Sequence, residues 1–150
     1  MQDSFYNAYI RSMFDYADIV WSGLNATYAN KLETHHKNLL KILFRQPRHF
    51  PSVKLYELAH ATPLSKRRHL HLCTFAHMFR LNSNPPHLDS FNWFSNADRT
   101  RNAITLPRAN TSILLRSPLF ITISYWLLLP QSLKLSSSMQ SFKAQLSVLA

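Results

Sequence analysis

A single glycine, Gly23, stands in 150 residues, where average usage of about 7% would supply roughly ten. Glycine is the residue that takes a positive φ without steric penalty. The chain therefore has few positions that can turn left-handed cheaply, and glycine-rich loops that cradle phosphate are excluded.

Between its breakers the chain repeats apolar residues at helical spacing. Phe5, Tyr9, Ile10, Met13, Phe14, Ala17, Val20 and Trp21 stand mostly three or four apart, which predicts a first helix ending near Gly23. Asn25 is a capping candidate for a second helix with an apolar face through Leu32, Leu39, Leu40 and Leu43 and a stop at Pro47. "PSVKLYELAH" predicts a short helix with Ser52 as N-cap, and a long helix opens on Thr62 with Pro63 at its first position. In that helix Leu72, Phe75 and Phe79 line one side and Leu70, Cys73 and Leu81 the other, as in a central buried helix. Pro85 and Pro86 then break the pattern, because paired prolines cannot continue a helix.

Residues 91–118 mix Asn, Arg, Thr and Pro without helical period, and "AITLPR" is a candidate short strand. Met139, Phe142, Leu146 and Leu149, spaced three, four and three, predict a closing amphipathic helix over about 138–149 with a serine at its N-cap. The expected fold is mostly α: a bundle of about four helices within residues 5–82, then a looser region with room for short strands, then the closing helix. The expected domains are 1–82 and 83–150.

A chain of this length buries about 68 to 70% of its unfolded surface and owns a core. Its 17 Lys+Arg against 7 Asp+Glu give a formal charge of +10, which favours polyanionic partners, nucleic acid or an anionic membrane surface. The lone Cys73 cannot form an internal disulfide; a reducing compartment, cytoplasmic or nuclear, is expected. The first ten residues lack the basic and apolar regions of a secretory signal. The longest apolar run, "LFITISYWLLL" at 119–129, is eleven residues against about 20 for a bilayer span, so it reads as a buried segment. The glycosylation triplets at Asn25 and Asn110 have nothing else in the sequence to support them.

Few residues are arranged for catalysis. Asp15 and Asp18 stand three apart near the start, with no third carboxylate or histidine within ten residues. His69, Cys73 and His77 at i, i+4 and i+8 would line one side of a helix, but structural zinc draws four ligands from paired short spacings and no Cys pair exists. Cys73 and His77 read instead as filling a helix interface. No catalytic residue, metal or cofactor is expected. The basic residues are better ordered: Lys37, Lys41 and Arg45 recur at every fourth position, off the leucine face, as a stripe able to follow a phosphate backbone, and Lys66, Arg67 and Arg68 add a cluster.

The order of motifs resembles the C-terminal part, thumb and post-thumb, of jockey-like non-LTR retrotransposon reverse transcriptases. "IRSMFDYADIVW" carries the family's Tyr and Val-Trp at Tyr16 and Val20-Trp21, and "KLETHHKNLLKIL" is similar to its Lys-Leu-Gln, Gln-Asn, Arg-Ile helix at Lys31-Leu32 and Lys41-Ile42. Pro63-Leu64, Arg67-Arg68, His71-Leu72 and Pro86-His87-Leu88 resemble the segment that follows. Arg101, Leu106-Pro107-Arg108, Trp126, Leu129-Pro130, Phe142-Lys143 and Leu146 resemble its later signature, so the resemblance spans roughly residues 5–149. His36, Ser83 and Leu127 depart from the family's Gln, Gly and Asn, as a drifting copy would.

The resemblance implies a thumb-like bundle over 1–82 and a post-thumb region over 83–150. The fingers and palm, with the Asp-Asp strand that holds magnesium, would lie N-terminal to Met1. It implies a non-catalytic remnant in which Lys37, Lys41, Arg45, Arg67 and Arg68 make weak, sequence-independent contacts to a nucleic-acid backbone, with the palm as a second partner and no membrane. The alternative is an inert or protein-docking helical fragment whose apolar surfaces were built to meet that palm.

Overall fold

The computed structural model describes residues 2–81 and 108–149, which form eight helices and no strand. The expected break at 82–90, the boundary at 82/83 and most of the candidate strand lie outside the described residues. Two compact units divide the chain, 1–68 and 69–150.

Helix α1 has three consecutive segments, Gln2–Phe5, the π-helical Tyr6–Arg11 and Ser12–Asp15. Its buried residues are Tyr6, Ile10 and Phe14. A four-residue spacing drifts around an α-helix of 3.6 residues per turn, and the wider π turns absorb that drift and keep the three in line. The helix stops at Asp15, short of the expected end near Gly23: Tyr16 is extended, and its carbonyl accepts the Trp21 indole N–H at 2.9 Å. Asp18 consequently lies in the turn after the helix, where it is buried.

Helix α2, Ala26–Leu43, opens on Asn25, whose side chain accepts the Tyr28 N–H at 3.1 Å. It buries His36 and Leu40 and lays Leu32, Leu39 and Leu43 against the same core. Helix α3, Ser52–Leu58, uses Pro51 rather than Ser52 as its N-cap. Helix α4, Leu64–Leu81, begins one residue later than expected, since the Pro63 carbonyl accepts the first helical bond, from the Arg67 N–H at 3.1 Å. The unit boundary falls inside this helix, so Leu64 closes the first core, with Tyr6, Phe14, Leu40, Leu55 and Ala59.

In the second unit α4 contributes the buried Leu72, Cys73, Ala76 and His77. Three short elements follow: α5, Ser112–Leu115; α6, Pro118–Leu128, capped by Ser117 with proline at its first turn; and α7, Gln131–Lys134. The apolar run expected to be buried forms most of α6, but only one side is covered: Ile123 and Trp126 are buried while Leu128 is 78% exposed. Helix α8, Met139–Leu149, is capped by Ser138, whose hydroxyl accepts the Ser141 N–H at 3.2 Å. Phe142 and Leu146 are buried with Cys73, Ala76, Trp126, Leu129 and Leu133, and the His77 ring stacks on Phe142 at 4.0 Å and 6°.

The scarcity of glycine has a visible structural consequence. Helices α2 and α3 both end in a Schellman motif: Gln46 N–H bonds to Lys41 carbonyl and Arg45 N–H to Ile42 carbonyl, as Ala61 does to Tyr56 and His60 to Glu57. The left-handed residue such an ending requires is Arg45 at φ 53° in one and His60 at φ 43° in the other. Gly23 has no positive φ. A left-handed non-glycine residue costs about 1 to 2 kcal/mol, so Arg45→Gly and His60→Gly should each stabilise the fold by about 1 kcal/mol, read as a higher urea midpoint at unchanged slope.

Candidate functional site

The densest group of polar side chains in the first unit is internal. Arg67 leaves α4 with its side chain only 5% exposed and places Nη2 3.2 Å from Asp15 Oδ1. Its Nη1 donates to the Tyr6 hydroxyl at 3.1 Å. Asp15's other oxygen takes Arg11 Nε at 3.3 Å, so one carboxylate at the end of α1 holds two guanidinium groups. The Tyr6 hydroxyl lies 3.2 Å from His36 Nε2. Arg67 can only donate, so the hydroxyl oxygen accepts from it, and the buried imidazole beside it is neutral, with Nε2 toward the hydroxyl and Nδ1 turned away. That Nδ1 has no hydrogen-bond partner and sits in a ring cage, with Phe14 edge-on at 5.1 Å and Tyr56 at 5.9 Å.

Glu33 on α2 makes a second link. Its carboxylate accepts the Tyr56 hydroxyl from α3 and the Leu64 N–H, 3.0 Å away, which opens α4. One side chain therefore joins three helices, capping an N–H that no backbone carbonyl could reach.

Burial, reinforced by the Arg67 charge, lowers His36 to about 4. Burial and the Glu33 bond raise the Tyr56 phenol, and burial raises that of Tyr6 despite Arg67. In the second unit Cys73 lies 3.6 Å from His69 Nε2, and burial pushes its thiol up to about 11. A nucleophilic cysteine needs the opposite shift. Cys73 and His77 fill the packed interior of the second unit, and His69 sits edge-on to Tyr125 at 4.5 Å.

The five basic residues singled out in the sequence do not form one surface. Lys37 and Lys41 lie half-buried at the margin of the packed face of α2, and the Lys41 ammonium donates to the Arg48 carbonyl at 2.6 Å. Arg45 is exposed just past the helix end. Arg68 is half-buried with its guanidinium 5.3 Å over the Trp21 ring. Arg67 turns inward and presents nothing to a phosphate, because residues 66, 67 and 68 are about 100° apart around a helix and the middle one falls on the face of Leu64. Arg48 and Lys54, which the periodicity did not single out, are exposed. The chain matches no protein-family profile, no curated protein and no solved structure.

Folding must keep His36 neutral, which links stability to pH. With a folded value near 4 against 6.5 unfolded, stability is complete above pH 6.5 and is lost as pH falls to about 4, by about 3 kcal/mol in all. Urea midpoints measured from pH 7.5 to 4 should show this decline, and His36→Phe should flatten it. Arg67→Met removes the buried charge and leaves Asp15 partly exposed and still held by Arg11 while the Tyr6 hydroxyl loses a donor, and should lower the urea midpoint at a cost of about 1 to 3 kcal/mol.

Proposed function

We propose that the chain is a non-catalytic, C-terminal thumb-type remnant of a retrotransposon reverse transcriptase that holds nucleic acid by its backbone, without reading sequence. The motif order along the chain supports the parentage. One structural observation carries the binding: three of the first unit's five acids, Asp15, Asp18 and Glu33, are drawn wholly or partly inside, while Asp3 and Glu57 stay exposed. Asp15 and Glu33 are bound by internal partners and Asp18 is buried, whereas Arg67 is the one Lys or Arg that is buried among the described residues. Lys37, Lys41, Arg45, Arg48 and Lys54 follow one another between Glu33 and Glu57 with no acid among them. Such a segment attracts phosphates by counterion release and carries no base readout.

Nucleotidyl transfer by two metal ions requires clustered carboxylates, and 7 acids scattered over 150 positions do not supply a palm-type site. Primer extension by the purified chain should be indistinguishable from a mock preparation.

Binding to a mixed-sequence duplex should weaken with salt along a log–log slope of roughly −3 to −5, about 0.9 per contact. Substituting Lys37, Arg45 and Arg48 together by Gln should lower the slope magnitude by about 2 to 3 with the circular dichroism spectrum unchanged. Replacing Arg108, Arg116 and Lys143 should leave the slope within about one unit; an equal loss from both sets would instead favour a fragment without a binding surface of its own. The docking alternative has its own observation, the exposed Phe5, Tyr9 and Met13 of α1.

A further inference from the structure

The π turns of α1 do more than align its buried residues. At about four residues per turn they set the whole helix into straight ridges. Internal contacts trace them: Asn7 Nδ2 donates to the Asp3 carbonyl, Arg11 Nη1 to Asn7 Oδ1 and Arg11 Nε to Asp15, while the Phe5 and Tyr9 rings lie 5.0 Å apart. Tyr6, Ile10 and Phe14 form the buried ridge. The other three face solvent: an apolar ridge of Phe5, Tyr9 and Met13, exposed by 49%, 67% and 59%; a polar ridge of Asp3, Asn7 and Arg11; and, between them, the small exposed Ser4, Ala8 and Ser12.

We propose that this face pairs with the same face of a second copy of the chain, antiparallel about a two-fold axis at the level of Asn7. Three features point to a copy. An antiparallel two-fold brings each ridge against its own counterpart, so apolar meets apolar, with Phe5 opposite Tyr9 of the other copy. The same register sets Asp3 opposite Arg11 in both directions, making two unlike-charge pairs where a shift by four residues would oppose Asp3 to Asp15. The central small ridge carries no charge in a chain of +10, and its side chains let the two backbones approach and interdigitate. A helix of this length spans about 21 Å, which gives a small interface and a weak dimer, with a dissociation constant on the order of 100 μM. The inference is independent of the phosphate-binding reading and commits the docking face to one occupant.

The charge register gives the test, performed on the full chain by sedimentation equilibrium in 0.3 M salt, up to about 500 μM, several times the expected constant. The wild type should dimerise reversibly. Asp3→Arg and Arg11→Glu each create two like-charge pairs in a homodimer and should each weaken it by about tenfold or more. Mixed one to one, the two variants should restore association, because the heterodimer holds Arg opposite Glu on one side and Arg opposite Asp on the other. Ala8→Glu, at an exposed position, should abolish dimers with the helix content unchanged. A wild type that stays monomeric throughout, association that Ala8→Glu does not alter, or variants that fail to recover on mixing would each overturn the proposal. A monomer whose α1 face captures a palm-type domain would overturn it in favour of that occupant. Loss of nucleic-acid salt dependence with dimerisation intact would overturn only the phosphate reading.

Discussion

Arg67 in the interior of the first unit is the constraint around which the rest of that unit is arranged. A guanidinium removed from water is costly unless its charge is matched, and the Arg67 Nε has no hydrogen-bond partner of its own. Asp15 supplies the charge and Tyr6 an acceptor. Those two residues lie on α1, so the start of the chain is held to a residue some fifty to sixty positions later. Tyr6 also meets His36 Nε2, which ties α2 into the same chain of bonds, and burial beside the Arg67 charge keeps that histidine neutral. Hydrophobic burial around Leu40, Leu55 and Leu64 supplies the bulk of the driving force, but it is non-directional. The polar chain adds direction, since its contacts are made in one arrangement of α1, α2 and the start of α4.

The ends of the helices show a second constraint at work. Glu33 caps α4 from another helix, and Ser117 and Ser138 cap α6 and α8 from their own sequence. At the C-terminal ends, glycine would ordinarily take the left-handed position, and Arg45 and His60 occupy it instead. Both hydrogen-bond pairs of the Schellman ending are nonetheless made. The backbone bonds of each ending are worth more than the steric cost of a side chain at positive φ, so the geometry survives the loss of the residue best suited to it.

The use of Asp15 to pair Arg67 and of Glu33 to cap Leu64 draws two of the unit's acids partly out of solvent. Core and surface are coupled here: the half-buried carboxylates of Asp15 and Glu33 are engaged by internal partners. Arg67 is correspondingly withdrawn from the surface, whereas Arg48 and Lys54, which fall on loop and short helix, are exposed where helical periodicity gave no indication.

Most of the helices were legible in the sequence because a 3.6-residue apolar period and a capping side chain are local properties. Asn25 and Ser138 cap where their chemistry predicted, and Leu32, Leu39, Leu40, Leu43, Met139, Phe142 and Leu146 all turn toward a core. The positions of His36, three or four residues from Leu32, Leu39 and Leu40, and of Arg67, three from Leu64, carried the signal that both lie on buried faces; their polarity masked it. What the sequence could not disclose was that these two meet through Tyr6, or that Glu33 serves three helices at once. Nor could it show that α1 takes π turns and ends at Asp15. Local pattern decides where a helix forms and which side is apolar. Which buried polar group finds which partner depends on the approach of segments distant in the chain, and only the tertiary structure fixes that.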